Sequence, residues 1–412
     1  MKQKRCTKFR PTHNCLTLLV VNSLTMISLP TRSFENLPTP FYYYDEGLLR
    51  ATLDALNEQV ARHPNFIVHY AAKANANLRI LQIIKEAGLG VDCVSGGEIE
   101  TALRAGFKAD NIVFAGVGKS DWEIKLALEN NIFCFNVESI QELEVIEQLC
   151  NEMNQQANVC LRVNPNVNAH THKNITTGLA ENKFGIPVDS VWEAIEKMQA
   201  MKHVRFIGLH FHIGSQIVNL NDFRKLCTSV NSLLELLKQH NIEPEHINVG
   251  GGLGIDYNDP TSHPIPDFKA YFDMYAQHLQ LNERQKVHFE LGRSLVGQCG
   301  YLVSRVLYVK QGQSKRFLIL DAGMNDLLRP ALYHAKHQIV NLSNPSATSE
   351  VYDVVGPVCE SSDVFSRDVL LPQSHRGDLM AVCSAGAYGE VMASQYNCRQ
   401  LPKSYLSDDF NI

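Results

Sequence analysis

The sequence predicts a (β/α)8 TIM-type barrel followed by a second, C-terminal β-rich domain with a sandwich-like or barrel-like sheet. Three observations predict it. Eight short apolar runs alternate with amphipathic segments up to residue 291, S-x-x-E sequences follow several of these runs, and beyond about residue 298 strands and turns replace the helical periodicity. Alternating strands and helices imply a parallel sheet, and eight such units favour its closure into a barrel. A doubly wound open sheet is the alternative.

Each predicted barrel strand is a short run rich in β-branched and aromatic residues. The eight runs are residues 66–73, 90–95, 111–116, 132–137, 158–164, 204–212, 246–252 and 286–291. Four sequences match the capping box, in which a serine accepts a hydrogen bond from the third helical N–H and the glutamate accepts one from the serine N–H. They are Ser95–Glu98, Ser120–Glu123, Ser139–Glu142 and Ser190–Glu193.

The length of 412 residues favours two domains. We predict the barrel over residues 46–298, and a β domain formed by residues 34–45 together with 299–412. Residues 1–33 are predicted to be a disordered N-terminal extension, because a basic segment precedes an apolar run that polar residues interrupt. That run is too short to span a bilayer, and no later stretch is a transmembrane candidate.

Composition excludes some classes of function. A net charge of −5 provides no basic face for nucleic acid. The 45% of apolar residues can form a large core. Eleven cysteines, an odd number without C-x-x-C spacing, favour a reducing compartment over a disulfide framework, so we expect a cytoplasmic protein.

Polar residues and glycines gather at the C-terminal ends of the predicted strands, which is the face where barrel enzymes carry their active sites. In chain order they are Lys73, Asp92, His210, His212, Ser215, Gly250, Gly251, Gly252, Glu290 and Gly292. A lysine that forms a Schiff base with pyridoxal 5′-phosphate (PLP) needs such a set: glycines beside the phosphate, a flat histidine, and an acid for the pyridine nitrogen. His210 and His212 also suit a metal pair, although no third ligand follows at helical spacing.

Eight ordered motifs resemble the diaminopimelate decarboxylase family, which belongs to the alanine-racemase-like (fold type III) PLP enzymes. They are HYAAKANAN, VDCVSGGEIE, LHFHIGSQI, NVGGGLGIDY, FELGR, DAGMNDLLRPALYHA, GPVCESSDVF and SAGAYGEVMAS. The resemblance runs from about Pro38 to about Pro402. Leu291 stands where the family has the proline of E-P-G-R, and without proline's fixed φ the rigidity of that turn is in doubt.

The resemblance implies a role for each matching residue. Lys73 holds PLP as the internal aldimine, His212 stacks on the ring, Glu290 pairs with the pyridine nitrogen and Asp92 lies beside the cofactor. The implied phosphate-binding set is Ser215, Gly250, Gly251, Gly252, Gly292 and Tyr388, with Arg293 also at the cofactor. The implied substrate-binding set is Arg293, Arg329, Tyr333, Glu360 and Tyr388. Cys359 is the implied proton donor; it reaches the active site of the other subunit, which implies a homodimer with shared sites.

The resemblance implies PLP-dependent decarboxylation of meso-2,6-diaminopimelate to L-lysine and CO₂, the last step of lysine biosynthesis. A guanidinium binds a carboxylate through two parallel hydrogen bonds, so two arginines suit a substrate whose distal carboxylate survives. Three alternatives stay open: another basic amino-acid decarboxylase of the ornithine or arginine type, a non-catalytic PLP-binding barrel protein, and a metal-dependent hydrolase using His210 and His212. No metal is expected in the favoured interpretation.

Overall fold

The structure is a computed structural model that describes residues 29–165, 167 and 183–410. Most of the predicted N-terminal extension, residues 1–28, lies outside this described part. The helices are α1 Thr31–Phe34, α2 Glu46–Val60, α3 Leu78–Glu86, α4 Gly96–Ala105, α5 Asp121–Glu129, α6 Ile140–Met153, α7 Val191–Ala200, α8 Leu220–Gln239, α9 Phe268–His278, α10 Arg293–Val296 and α11 Arg329–Tyr333. None of these described helices combines the length and apolar character needed to cross a membrane.

The strands belong to two sheets. They are β1 Phe41–Tyr44, β2 Phe66–Ala71, β3 Gly90–Cys93, β4 Ile112–Phe114, β5 Cys134–Val137, β6 Ala157–Asn164, β7 Ile186–Pro187, β8 Val204–His210, β9 His246–Asn248, β10 Lys286–Leu291, β11 Gly300–Gln311, β12 Arg316–Leu320, β13 Ile339–Asn341, β14 Ser349–Val355, β15 Val364–Pro372, β16 Leu379–Val382 and β17 Lys403–Leu406.

Eight parallel strands close into a barrel. The order around it is β2, β3, β4, β5, β6, β8, β9 and β10, with β10 paired to β2 and β5 paired to β6. The two-residue strand β7 adds to β6 outside this ring. The predicted (β/α)8 barrel is therefore confirmed, and the open doubly wound sheet is wrong.

Strand β10 shows how side-chain alternation sends polar groups into the barrel. The Phe289 ring packs against α9, with its centroid 5.0 Å from that of Phe272. His288 and Glu290 point the other way and hydrogen-bond to residues of other strands inside the barrel. Leu291 continues the strand as the ladder partner of Tyr70. The apolar outer face thus fixes which acidic side chain enters the site.

Three of the four predicted capping serines begin helices as expected. The Ser95 and Ser139 hydroxyls accept hydrogen bonds from the third helical N–H at 3.2 and 3.1 Å, and the Glu123 carboxylate accepts one from the Ser120 N–H at 2.9 Å. Ser190 differs, because it ends a 3₁₀ turn and makes no capping hydrogen bond to a described residue. The extra turn before α7 changes the backbone angles that the box requires.

The second domain is a mixed sheet of eight strands, which confirms the predicted β-rich domain. Its order is β13, β16, β11, β12, β14 and β15, with β1 beside β11 and β17 beside β1. Strand β1 precedes the barrel in the chain but runs antiparallel to β11, which follows the barrel. Phe34 of α1 is fully buried against this sheet, and Leu29 packs in the same cluster.

The two domains meet at the C-terminal face of the barrel. Asn75 donates a hydrogen bond to the carbonyl oxygen of Gly386 at 2.9 Å, and the N–H of Tyr388 donates to the Ala74 carbonyl at 2.8 Å. Both bonds join the segment after β2 to the segment after β16. This junction holds β-domain side chains over the barrel opening.

Candidate active site

A cavity of about 350 Å³ opens at this junction. Its walls come from the barrel and from the β domain. Among the residues that line it are Lys73, Arg162, Phe184, His210, His212, Ser215, Gly252, Glu290, Gly292, Arg293, Arg329, Tyr333 and Tyr388. Most of the residues predicted from the sequence therefore surround one space.

Lys73 lies beside Asp92 at the end of two neighbouring strands. The predicted strand 66–73 ends at Ala71, and Lys73 occupies the 3₁₀ turn that follows. Its Nζ is 3.5 Å from Oδ2 of the fully buried Asp92, whose Oδ1 has no hydrogen-bond partner among the described residues. Burial alone would lower the pKa of the Lys73 amine, but Asp92 and other acidic groups outweigh it and raise that pKa. The amine is thus held at the cavity by an ion pair.

Glu290 is buried among three hydrogen-bonding side chains. Its Oε1 accepts from Asn248 at 2.8 Å and from Asn136 at 3.2 Å, and its Oε2 lies 3.2 Å from Nε2 of His210. Burial would raise the pKa of Glu290, yet His210 lowers it below the ordinary range of a carboxyl. Glu290 is therefore an ionised carboxylate inside the barrel, poised to pair with a cationic N–H.

Sequence reasoning missed this role of Asn136 and Asn248. It placed His210 at the same end of the barrel, as a packed or stacking side chain or a metal ligand, but did not pair it with Glu290. Both asparagines lie on barrel strands, where the two-residue alternation that sends Glu290 inward could have identified them. Their partner is far away in sequence, however, so the alternation alone could not have assigned the contact.

His212 is a neutral, flat side chain in the cavity wall. Burial, followed by the charges of Arg162 and Lys73, lowers its pKa well below the ordinary value. The N–H of Gly251 donates to its Nδ1 at 3.2 Å, so the proton of the neutral ring sits on Nε2. Such a ring can stack on a planar ligand without repelling a positive charge.

The glycines after β9 bring backbone close to the cavity. Gly250 and Gly252 have φ angles of +70° and +104°, a region that favours glycine. A Cβ at position 251 would overlap the carbonyl oxygen of Glu290. Gly292 faces the same side, with a Cβ there lying 3.0 Å from that of Ala74. Backbone N–H groups can therefore approach a phosphate that side chains would otherwise exclude.

Two buried guanidiniums also line the cavity. Arg293 donates to the hydroxyl of Tyr257 at 2.6 Å and to that of Ser215 at 2.9 Å. Arg329 donates to Nε2 of His337 at 2.8 Å. The Nε groups of both arginines have no partner among the described residues. Since these recorded partners are uncharged, the cavity can accept anionic groups at this end.

Tyr388 comes from the β domain in an unusual backbone conformation. Its φ is +57°, in the left-handed region that side chains other than glycine rarely adopt. Its ring lies 4.8 Å from Cζ of Arg293, and Tyr333 lines the same cavity. The strained backbone turns the Tyr388 ring over the site.

Cys359 and Glu360 lie elsewhere. They occupy the exposed turn between β14 and β15, and neither is among the described residues that line the cavity. The Tyr396 hydroxyl donates to Glu360 at 2.6 Å, and the Cys359 N–H donates to Asn397 at 3.2 Å. The structure therefore separates these two predicted residues from the cavity of their own chain.

The side chains at the cavity fit PLP. The Lys73 amine matches the aldehyde of PLP, and the Glu290 carboxylate matches its pyridine nitrogen. The glycines at positions 250–252, which we call the glycine cradle, match its phosphate. The unsatisfied Oδ1 of Asp92 adds a buried acceptor next to the amine. Within the described ranges, no three metal-ligating side chains are arranged to hold an ion.

Three comparisons relate the chain to known proteins. Residues 47–297 match the family model described as pyridoxal-dependent decarboxylase, pyridoxal binding domain. A diaminopimelate decarboxylase of Bacteroides thetaiotaomicron is 61% identical over 92% of this chain and 98% of its own length. One from Helicobacter pylori strain J99 is 42% identical over 92% of this chain and 93% of its own. The crystal structure of the Helicobacter pylori enzyme complexed with L-lysine superposes with a TM-score of 0.86 at 40% identity, covering 92% of this chain and 94% of that one.

Proposed function

Because the chain belongs to the diaminopimelate decarboxylase family, it converts meso-2,6-diaminopimelate into L-lysine and CO₂ with PLP, and we propose how its own residues divide that work. The predicted family, cofactor and activity are confirmed. The comparisons do not favour an ornithine-type or arginine-type decarboxylase or a non-catalytic PLP-binding barrel. They do not point to a metal-dependent hydrolase either.

Bound PLP supplies the electron sink that stabilises the carbon from which CO₂ leaves. Lys73 would hold the cofactor covalently, with Asp92 beside it. Glu290 would accept the pyridinium N–H, since its hydrogen-bonding neighbours keep it ionised. His212 would stack on the ring. The phosphate would be held by Ser215, Gly250, Gly251, Gly252, Gly292 and Tyr388.

The two buried arginines support the substrate assignment most directly. Arg293 and Arg329 would bind the carboxylate that stays in L-lysine, with Tyr333 at the same wall. The carboxylate that leaves then lies at the Lys73 end. Ornithine has no second carboxylate, so it would leave two buried guanidinium groups without an anion.

A homodimer with shared sites would complete the cavity. Cys359 and Glu360 are exposed and outside the cavity of their own chain, which supports their delivery to the site of a second subunit. Cys359 would then donate the proton that replaces CO₂, and Glu360 would bind the distal amine. The described cysteines are all thiols, which supports a cytoplasmic location.

We also propose the domain division given by the sequence: a barrel over residues 46–298, and a β domain of residues 34–45 with 299–412. The pairing of β1 with β11 supports the discontinuous β domain. Residues 1–33 would be an extension, although Leu29 within it packs against the β-domain sheet.

Product analysis tests the substrate. The purified holoenzyme is incubated with meso-diaminopimelate, ornithine and arginine together, and the products are identified by mass spectrometry. We expect L-lysine alone, because buried polar groups discriminate by roughly 10⁴-fold against substrates that leave them unpaired. Putrescine or agmatine would contradict the role of Arg293 and Arg329.

Mixed dimers test the shared site. Lys73→Ala and Cys359→Ala chains are each expected to be inactive alone and to regain activity when unfolded together and refolded, since one hybrid site is intact. The control mixes Lys73→Ala with Glu290→Ala, whose positions line the same cavity of one chain; each of its sites stays defective. Equal behaviour of the two mixtures would refute cross-subunit delivery.

A further inference from the structure

Two uncharged side chains support the arginines at the substrate end of the cavity. The Tyr257 ring centroid lies 4.7 Å from Cζ of Arg329, and its hydroxyl accepts from Arg293 at 2.6 Å. His337 packs edge-on against Tyr257, with ring centroids 5.0 Å apart, and it contacts Arg329. Tyr257 ends the NVGGGLGIDY motif but was given no role there, and His337 lies outside the eight motifs.

The hydrogen bonds of His337 fix its protonation. Nε2 lies 2.8 Å from Nη1 of Arg329, and a guanidinium can only donate, so this nitrogen accepts. Nδ1 lies 2.8 Å from the carbonyl oxygen of Cys383, which can only accept, so this nitrogen carries the proton. Burial and the charge of Arg329 lower the pKa of His337 to about 3. The ring is therefore neutral and locked in one tautomer.

A neutral acceptor has a different effect on Arg329 from the usual carboxylate. A buried arginine is normally paired with an acid, and that pair has little net charge left for a ligand. Here the hydrogen bond holds the guanidinium in place while its full positive charge still faces the cavity. Arg329 is also 5% exposed, so little solvent screens that charge.

We propose that His337 is a positioning residue for substrate specificity: its neutral imidazole orients Arg329 toward the carboxylate that the product keeps, without cancelling the guanidinium charge. This inference rests on the proposed function of Arg329. The second histidine of the YHAKH segment thereby gains a role in substrate recognition. His337 acts through Arg329 and does not itself contact the substrate.

Three substitutions separate the elements of this role. His337→Gln keeps a neutral acceptor near the position of Nε2. His337→Asn keeps a donor for the Cys383 carbonyl but is too short to reach Arg329. His337→Glu keeps an acceptor near Nε2 and adds a negative charge. The PLP-loaded proteins are titrated calorimetrically with L-lysine, which has the retained carboxylate, and with cadaverine, which lacks it.

We expect the Asn variant to bind L-lysine roughly 10- to 100-fold more weakly, as for the loss of a hydrogen bond to a charged group. The affinity of the Glu variant for L-lysine should fall at least as far, whereas that of the Gln variant should fall less than about threefold. Cadaverine affinity, melting temperature and the affinity of the apoprotein for PLP should change little. Equal L-lysine binding by the Asn variant and the wild type, or a parallel loss for L-lysine, cadaverine and PLP, would overturn the proposal.

Failure of the proposed function gives a different result. In that case the wild-type holoenzyme itself would release no L-lysine from meso-diaminopimelate. An active wild type combined with an unaffected Asn variant would refute the role of His337 alone. A Glu variant that binds L-lysine as tightly as the Gln variant would also refute it, because charge preservation would then be irrelevant.

Discussion

At the scale of single residues, the site depends on positions where the neighbouring atoms tolerate only the residue that is present. Glu290 illustrates this twice. Its carboxylate is surrounded by Asn136, Asn248 and His210, which favour its ionised form over its neutral form. Its carbonyl oxygen lies against Gly251, where any Cβ would collide. One residue therefore sets both the charge of the ring-binding end and the path of the glycine cradle.

Gly251→Ala should weaken PLP binding and lower the free energy of unfolding by about 1–3 kcal/mol, since the new methyl group must displace the Glu290 carbonyl. Fluorescence titration of the apoprotein with PLP and urea denaturation measure the two effects. Gly118→Ala is the matched control, because its Cβ would meet no atom within 4 Å. Similar losses in both variants would show that close packing at position 251 is not the cause.

At the scale of secondary-structure elements, a buried lysine ties the ends of β4 and β5 to α6. Lys119 has a side chain 1% exposed and donates to the Gly116 and Asn136 carbonyls, both at 2.8 Å, and to Glu142 at 2.6 Å. Gly116 also lines the cavity. The same contacts therefore stabilise the strand ends and the wall of the site.

Lys119→Met should lower the free energy of unfolding by about 3–5 kcal/mol, because it leaves the Glu142 carboxylate buried without its cation. Burial raises the pKa of Glu142 even with the lysine present. The loss should therefore shrink at lower pH, where Glu142 takes up a proton. Urea denaturation at several pH values measures this effect.

Lys197→Met serves as the control for Lys119→Met. Its ion pair with Glu144 has side chains 41% and 51% exposed, so its removal should barely change stability at any pH. If the two variants lost equal stability, burial of the Lys119 pair would not be the reason for its effect.

At the scale of the whole molecule, a chain of histidines joins three barrel strands. His69 lies 2.9 Å from His288, and His288 lies 2.8 Å from His246, between ring nitrogens. These residues lie on β2, β10 and β9, which barrel closure makes neighbours. Burial lowers the pKa of His69 to about 4, and burial followed by His69 itself lowers that of His288 well below its ordinary value.

The three hydrogen-bonded histidines should make the fold sensitive to acid. The folded pKa of His69 lies below the unfolded value of 6.5, so its contribution is complete above pH 6.5 and is lost as pH falls toward 4. The pKa shift of His69 corresponds to a change of roughly 3 kcal/mol in the free energy of unfolding, as an upper limit. Unfolding free energies measured from pH 7 to pH 4 should fall less steeply for His69→Gln. Equal slopes for His69→Gln and the wild type would show that the burial of His69 does not cause the acid sensitivity.

Local patterns in the sequence were sufficient to predict the barrel, the following β-rich domain and the family. Strand alternation, helix starts and glycine-rich turns are local properties, so they can be read within a few residues of one another. For the same reason Lys73, His212 and the glycines after β9 could be placed at strand ends before their neighbours were known. The division into domains and the roles of these residues stay predictions.

Contacts between side chains that are distant in the sequence became known only from the folded structure. Asn136 binds Glu290 across 154 positions of the sequence, and His337 donates to the carbonyl oxygen of Cys383 across 46 positions. Such contacts depend on strand register and on the docking of the two domains, which no local pattern encodes. The same long-range packing keeps Cys359 and Glu360 outside the cavity of their own chain, a separation that motif order alone does not show.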